Sequence, residues 1–360
     1  MKRLPWTVVV PLLALVALAL TWGREIGWIL AVLEGVLLAG AVLAAVHHAE
    51  VVAHRVGEPF GSLVLAVAVT TIEVALIVTL MASGGDKSAT LARDTVFAAV
   101  MITTNGIAGL SLLIGSLRDG VTHFNPNGSG AALGTITTLA TLSLVLPTFT
   151  TSHQGPEFSP GQLSFAALAS LGLYLLFVFT QTVRHRDFFL PVTQTGTVAD
   201  DSEHAAPPSM RSALTSLALL LVALVAVVGL SKVESPVIER AVTAVGFPQS
   251  FVGVVIATLV LLSETLAAVR AARRGRIQIS LNLAYGSAIA SIGLTIPAIA
   301  LASIWLSGPL LLGLGPTQLV LLALTVVVSV LTVVPGRATR LQGEVHLVLL
   351  AAYMFLAVVP

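Results

Sequence analysis

Apolar runs long enough to cross a bilayer recur eleven times along this chain, separated by short polar segments. Their approximate limits are 6–23, 27–46, 60–82, 95–117, 131–150, 161–183, 212–231, 246–269, 279–305, 309–334 and 345–359. About 20 apolar residues span the hydrocarbon core as a helix. Runs this long and continuous are read as helices, because an open sheet edge cannot be satisfied in lipid. The expected fold is an all-α polytopic membrane protein of about eleven transmembrane helices.

Composition supports that class. Hydrophobic residues make up 56% of the chain and charged residues 10%, with a mean hydropathy of +0.99. A soluble domain carries about a quarter charged residues to coat its surface. The net charge of +1 argues against a nucleic-acid partner, and the absence of cysteine excludes disulfides and thiolate chemistry. Met1-Lys2-Arg3 followed by the run to Trp22 looks like a signal peptide, but no A-x-A-like site follows, so a retained first helix is expected.

Lys and Arg are distributed unevenly between alternate loops. With the N-terminus inside, thirteen fall in inner loops and five in outer ones (Arg24, Lys87, Arg93, Lys232 and Arg240). The cluster Arg270 to Arg276 is the strongest anchor. The bias predicts a cytoplasmic N-terminus, an external C-terminus and a bacterial inner-membrane location. Membrane lipid is an expected partner, and the sequence leaves the oligomeric state open. The longest loop, 184–211, holds Asp187, Asp200, Asp201, Glu203 and His204. It reads as a solvated linker, with a cytoplasmic cation sensor as the other reading.

The linker divides the chain into an N-terminal helix (1–26), a first five-helix repeat (27–183), the acidic linker (184–211) and a second repeat (212–360). An odd number of spans per unit inverts the second unit, and the substrate site of such transporters lies near the midplane. The polar positions agree. The second span of one half carries Thr70-Thr71-Ile72-Glu73, and that of the other carries Leu262-Ser263-Glu264-Thr265. A charge at the bilayer centre costs about 2.5–3.5 kcal/mol even on the mildest scale, so two acids in matching spans point to function.

The following span of each half is marked too, by Thr103-Thr104-Asn105-Gly106 in one and by Asn282, Ser287 and Ser291 in the other. Asn105, Ser287 and Asn282 are candidate neutral oxygen ligands beside Glu73 and Glu264, the candidate cation and proton carriers. Gly286, Ala290 and Gly293 lie at near-helical spacing and permit close helix approach. Glu58, before Pro59, reads either as a helix cap or as an inner ion or proton entrance. Glu34 reads as lining an outer path or reaching the interface. His47, His48, Glu50 and His54 read as an interfacial cluster. None of the expected spans holds Asp, Lys or Arg in its middle.

The stretch GEPFGSLVLAVAVTTIEVALIVTL (57–80) resembles the first α-repeat of the ChaA-type branch of calcium/proton antiporters, in the cation/Ca2+ exchanger superfamily. LLSETLAAVRAARRGRIQISLNLAYGSAIASIGLTIP (261–297) resembles the second. The resemblance implies alternating use of Glu73 and Glu264 by cation and proton, and an acidic segment between the halves. Better-known members place Gly-Asn before each acid, as G-N-x-x-E. Here Val69-Thr70 and Val260-Leu261 occupy those positions, and members of the branch are also associated with Na+ and K+ exchange.

The expected function is therefore Ca2+/H+ antiport, with Na+/H+ or K+/H+ antiport as the alternative. No cofactor is implied beyond the transported ion. An enzyme is disfavoured, since neither H-E-x-x-H nor an Asp within a span is present. A channel or a scaffold would leave the paired acids without a coupled role.

Overall fold

A computed structural model describes residues 5–24, 26–57, 60–84, 88–192, 208–306 and 308–360. Every expected span coincides with a helical unit. These are α1 (Trp6–Thr21), α2 (Trp28–Val56), α3 (Phe60–Gly84), α4 (Leu91–Asp119), α5 (Pro126–Phe149), α6 (Pro160–Arg184) and α7 (Met210–Ala244). They continue with α8 (Phe251–Val260), α9 (Leu262–Arg273), α10 (Ile277–Ala302), α11 (Pro316–Val333) and α12 (Arg340–Val358). Helices α8 and α9 form one unit bent by 53°. At 16 residues, α1 is shorter than the usual span.

Helix starts follow local chemistry. Asn125 caps α5 by accepting from the Asn127 and Gly128 N–H groups. Ser159 and Gln162 form a capping box on α6. Pro126, Pro160 and Pro316 occupy first-turn positions, where a missing N–H costs nothing. Helices α4, α5 and α6 each include a π-turn, at Ile102–Ile107, Thr141–Val145 and Thr180–Arg184. Large apolar side chains such as Trp28, Leu168 and Trp305 are more than 70% exposed. That suits a lipid-facing surface and would not suit water. The molecule is an integral membrane protein.

Three boundaries differ from expectation. Helix α2 continues ten residues past 46 and takes in His47, His48, Glu50 and His54. Instead of forming one interfacial cluster, these divide: His48 is buried, with ring nitrogens against the Thr7 carbonyl and Ser216 Oγ, while Glu50 is exposed. Helix α4 begins at Leu91, which brings Asp94 inside, buried and paired with Arg93 at 2.8 Å. Helix α7 runs on to Ala244, so the segment 232–244, expected to be loop, is helical and places Glu234 in the core.

The two halves pack reciprocally. Their first helices, α2 and α7, lie against each other. The second helix of each half meets the third of the other, α3 with α10 and α8 with α4. The third meets the fifth of the other, α4 with α12 and α10 with α6. Such crossed pairing is what a two-fold relation between halves produces. Glycines make it close: a Cβ on Gly109 would sit 2.8 Å from His346 Cβ, and one on Gly293 would sit 2.7 Å from Tyr174 Cβ.

Loop contacts confirm how the spans alternate. Arg118 donates to the Arg273 carbonyl, Arg55 to the Pro208 carbonyl, and strand β1 (Val121–His123) pairs antiparallel with β2 (Arg337–Thr339). All of these belong to loops expected on the basic side. At the other end, Arg93 donates to the Gly313 carbonyl, and Leu311 bonds Ala89 and bridges to Glu157. Asp94 and Glu157 lie at this opposite face, away from the basic cluster.

Candidate functional site

Glu73 stands near the middle of α3, where the helix is surrounded by Ile72, Leu76 and Ile77. It is 4% exposed. Its Oε1 accepts from Ser291 Oγ on α10 at 2.7 Å. The bond crosses from one half to the other, so Glu73 is oriented by the interface rather than by its own helix.

Glu264 is held differently. The chain breaks at Leu261, whose φ of −81° and ψ of 1° end α8. Helix α9 then starts, and Glu264 lies in its first turn, where unpaired N–H groups and the helix dipole favour a negative charge. Ser263 Oγ donates to Glu264 Oε2 at 2.6 Å.

Both carboxylates line one cavity of about 180 Å3, close enough for their charges to interact. Neutral oxygens at its wall come from Thr70, Gln181, Asn282, Ser287 and Ser291. The rest of the wall is mainly apolar, including Leu65, Val69, Phe177 and Val260. Glu50 lies within electrostatic range of both Glu264 and Arg270, on the side of the basic loops. Gly286 also lines the cavity, and a Cβ there would meet nothing within 4 Å.

The expected ligands divide. Ser287 faces the cavity and has no other role visible in the packing. Asn282 lines it too, but its amide donates to the Phe189 carbonyl at 2.6 Å and its oxygen accepts from Gln278 at 2.8 Å. Asn105 lies elsewhere. Its Nδ2 donates to Thr325 Oγ1 at 3.0 Å, and its Oδ1 accepts from His346 Nδ1 at 3.0 Å. His346 is fully buried and reaches Thr332 with Nε2. This network ties the π-turn of α4 to α11 and α12. Glu58 falls outside the described residues. Glu34 is described, and is fully buried on α2.

Sequence reasoning passed over Gln181, Glu234, Asp94 and His346, and noted Thr70 without making it a ligand. Ser291 was noted as a polar mark, but not as the partner of Glu73. Thr70 was visible as a hydroxyl one helical turn before Glu73. Nothing short of tertiary register identifies the others.

Among the described residues no group of three or more His, Asp or Glu side chains is placed to hold a metal ion. A cation at Glu73 and Glu264 would therefore complete its shell with hydroxyl, amide or backbone oxygens and water. Carboxylates and neutral oxygens are the donor set hard cations prefer.

Comparison with known proteins identifies the family and the fold. The sodium/calcium exchanger protein family model matches residues 26–183 and 215–359. A Sinorhizobium fredii protein named as an ionic transporter, y4hA, is 46% identical over 99% of this chain and 96% of its own length. The sodium-potassium/proton antiporter ChaA of Escherichia coli is 34% identical over 97% of this chain and 94% of its own. Among solved structures, the H+/Ca2+ exchanger CAX superposes with a TM-score of 0.72 at 17% identity, covering 97% of this chain and 86% of CAX. Native YfkE superposes with 0.71 at 14% identity, covering 99% of each chain. These two likenesses establish a shared fold.

Proposed function

The chain belongs to the sodium/calcium exchanger protein family, within the cation/Ca2+ exchanger superfamily, and from that premise we propose that it exports Ca2+ in exchange for H+ through Glu73 and Glu264. It is a cation antiporter and not an enzyme. One observation carries the finer reading: two carboxylates, one from each half, face a single cavity.

Two negative charges in that cavity repel and are poorly solvated, so each must be neutralised. A divalent cation can do this, and so can protons. The two then compete for the same oxygens. Exchange follows if the empty, doubly charged cavity cannot switch sides. Rocking of one group of helices against the other supplies alternating access. The alanine-rich seam between α2 and α7, with Ala41, Ala45, Ala223 and Ala226 all fully buried, is the surface on which that movement occurs.

Ser291 holds Glu73 toward the cavity, while Ser287 and Thr70 supply neutral oxygens to the cation. Asn282 contributes its oxygen when Gln278 releases it. Asn105 acts at a distance, by fixing the π-turn of α4 against His346. The basic face is cytoplasmic in this reading, the N-terminus lies with it, and the protein resides in a bacterial inner membrane. Moving a divalent ion out against 100 mV costs about 4.6 kcal/mol, and one entering proton returns about 2.3. Export therefore needs more than one proton per Ca2+, and two carboxylates can carry two.

A monovalent reading has its own support. The Escherichia coli relative is named for Na+ and K+, and Thr70 and Leu261 stand where other exchangers have asparagine. The deciding experiment uses everted vesicles with an acidic lumen, into which Ca2+, Na+ or K+ is added while lumenal pH is followed. Ca2+ is expected to release protons most effectively. Release by Na+ or K+ alone would transfer the same mechanism to a monovalent ion, and no release by any cation would overturn the antiport reading.

A further inference from the structure

A second carboxylate pair lies apart from the cavity, at the α2–α7 contact. Glu34 is the seventh residue of α2 and is fully buried, and neither of its oxygens has a hydrogen-bond partner. Glu234 on α7 is 4% exposed, and its Oε1 is likewise unpartnered. The two lie within range of each other's charge.

Leaving such oxygens unpaired in a packed interior costs several kcal/mol for each charge. Among the described residues, no positive side chain pairs with either carboxylate. The nearby cations are Lys232, whose ammonium lies 5.2 Å from the centre of the Trp22 ring, and Arg24 and Arg240, which line the adjoining cleft. Arg240 donates to the Pro236 carbonyl, and none of the three forms an ion pair with Glu34 or Glu234. Protonation neutralises the pair, and a proton shared between the two carboxyls satisfies only some of their oxygens, so protons are the competitor that a cation must displace.

A hard cation satisfies all these oxygens together. Further donors lie on the same stretch of α7. Pro236 has no N–H, so the Lys232 carbonyl is released from its usual helical bond. The buried Ser231 hydroxyl donates to the Val228 carbonyl and keeps its lone pairs. Val233 and Pro236, which flank Glu234 in sequence, line a cleft of about 690 Å3 on the adjoining face of α7.

The geometry points to Glu34 and Glu234 as a second site for a divalent cation, between the first helices of the two halves and on the face opposite the basic loops. Two carboxylates match a double positive charge, and carbonyl, hydroxyl and water oxygens complete the shell that Ca2+ takes. Because a bound ion joins α2 to α7, occupancy clamps the seam between the halves. The inference does not depend on the role of Glu73 and Glu264.

The test is equilibrium 45Ca2+ binding to the purified full-length protein in detergent. Wild type is expected to hold two ions per chain, E34Q/E234Q one, E73Q/E264Q one, and the four-fold variant none. If E34Q/E234Q binds as many ions as wild type, the second site does not exist. The same conclusion follows if the pair takes up protons but no Ca2+. Failure of the central site gives a different pattern, in which E73Q/E264Q matches wild type while E34Q/E234Q still loses one ion. If the Gln variants do not fold, Glu34→Asp retains the charge but shortens its reach. It is expected to weaken the second binding step at least tenfold, and an unchanged affinity would overturn the proposal.

Discussion

The two acids of the cavity occupy matching spans, yet the protein presents them in unlike ways. Glu73 sits within an unbroken α3 and takes its hydrogen bond from Ser291 of the other half. Glu264 follows a 53° break, lies in the first turn of α9 and takes its hydrogen bond from the adjacent Ser263. One carboxylate is thus held by the interface between halves and the other by local backbone. A movement that separates the halves would change the surroundings of Glu73 first. Near-symmetry in sequence places two charges at one level, and the departures from symmetry decide which of them senses the rocking.

The comparison can be broken most forcefully at the acids themselves. Glu73→Gln and Glu264→Gln are each expected to reduce cation-driven proton flux at least about a hundredfold, because either removes a charge that exchange requires. If one variant retained normal flux, the two halves would not share the work.

The reciprocal packing seams should behave alike. Gly109→Ala and Gly293→Ala each press a methyl group against a neighbouring Cβ at less than 3 Å. Each is expected to destabilise the protein by about 1–3 kcal/mol, read as a lowered melting temperature. Gly286→Ala meets open space instead and should leave stability within about 0.5 kcal/mol of wild type. A large effect at Gly286 and none at Gly293 would invert the assignment of these residues to cavity and seam.

The serines give the finest test of the asymmetry. Ser291→Ala removes a buried hydrogen bond to a carboxylate, worth about 1.5–3 kcal/mol, and should weaken cation binding tenfold or more in a titration. Ser263→Ala should cost only about two- to threefold, because Glu264 keeps the N-terminal turn of α9. Equal effects would mean that Glu264 depends on its serine as strongly as Glu73 does.

Much of this was legible in the sequence. Each apolar run fell on a helix among the described residues, with α1 too short to match the usual span, and Glu73 and Glu264 stood out because charges are expensive there. The break at Leu261 was not legible, since Val260-Leu261-Leu262 contains neither proline nor glycine. The helical segment after 231 was hidden by Lys232, Glu234, Pro236, Glu239 and Arg240, whose polarity reads as loop. It is helical and packed, with Val233, Ile238 and Val242 joining the apolar core while Glu239, Arg240 and Thr243 line the cleft. That same misreading concealed Glu234. Asn105 looked like a ligand by proximity in sequence, but its partner His346 lies 241 positions away. Pairings of that kind are set by the register between halves, which the pattern along a single chain does not encode.

The central claim is that one pair of carboxylates serves cation and proton by turns. Reconstituted vesicles with the membrane potential clamped, an imposed Ca2+ gradient and no initial pH difference test it most directly. The account predicts that the Ca2+ gradient drives protons uphill, with no such movement in Glu73→Gln or Glu264→Gln. Ca2+ flux without proton movement, or proton movement that survives in both variants, would contradict it.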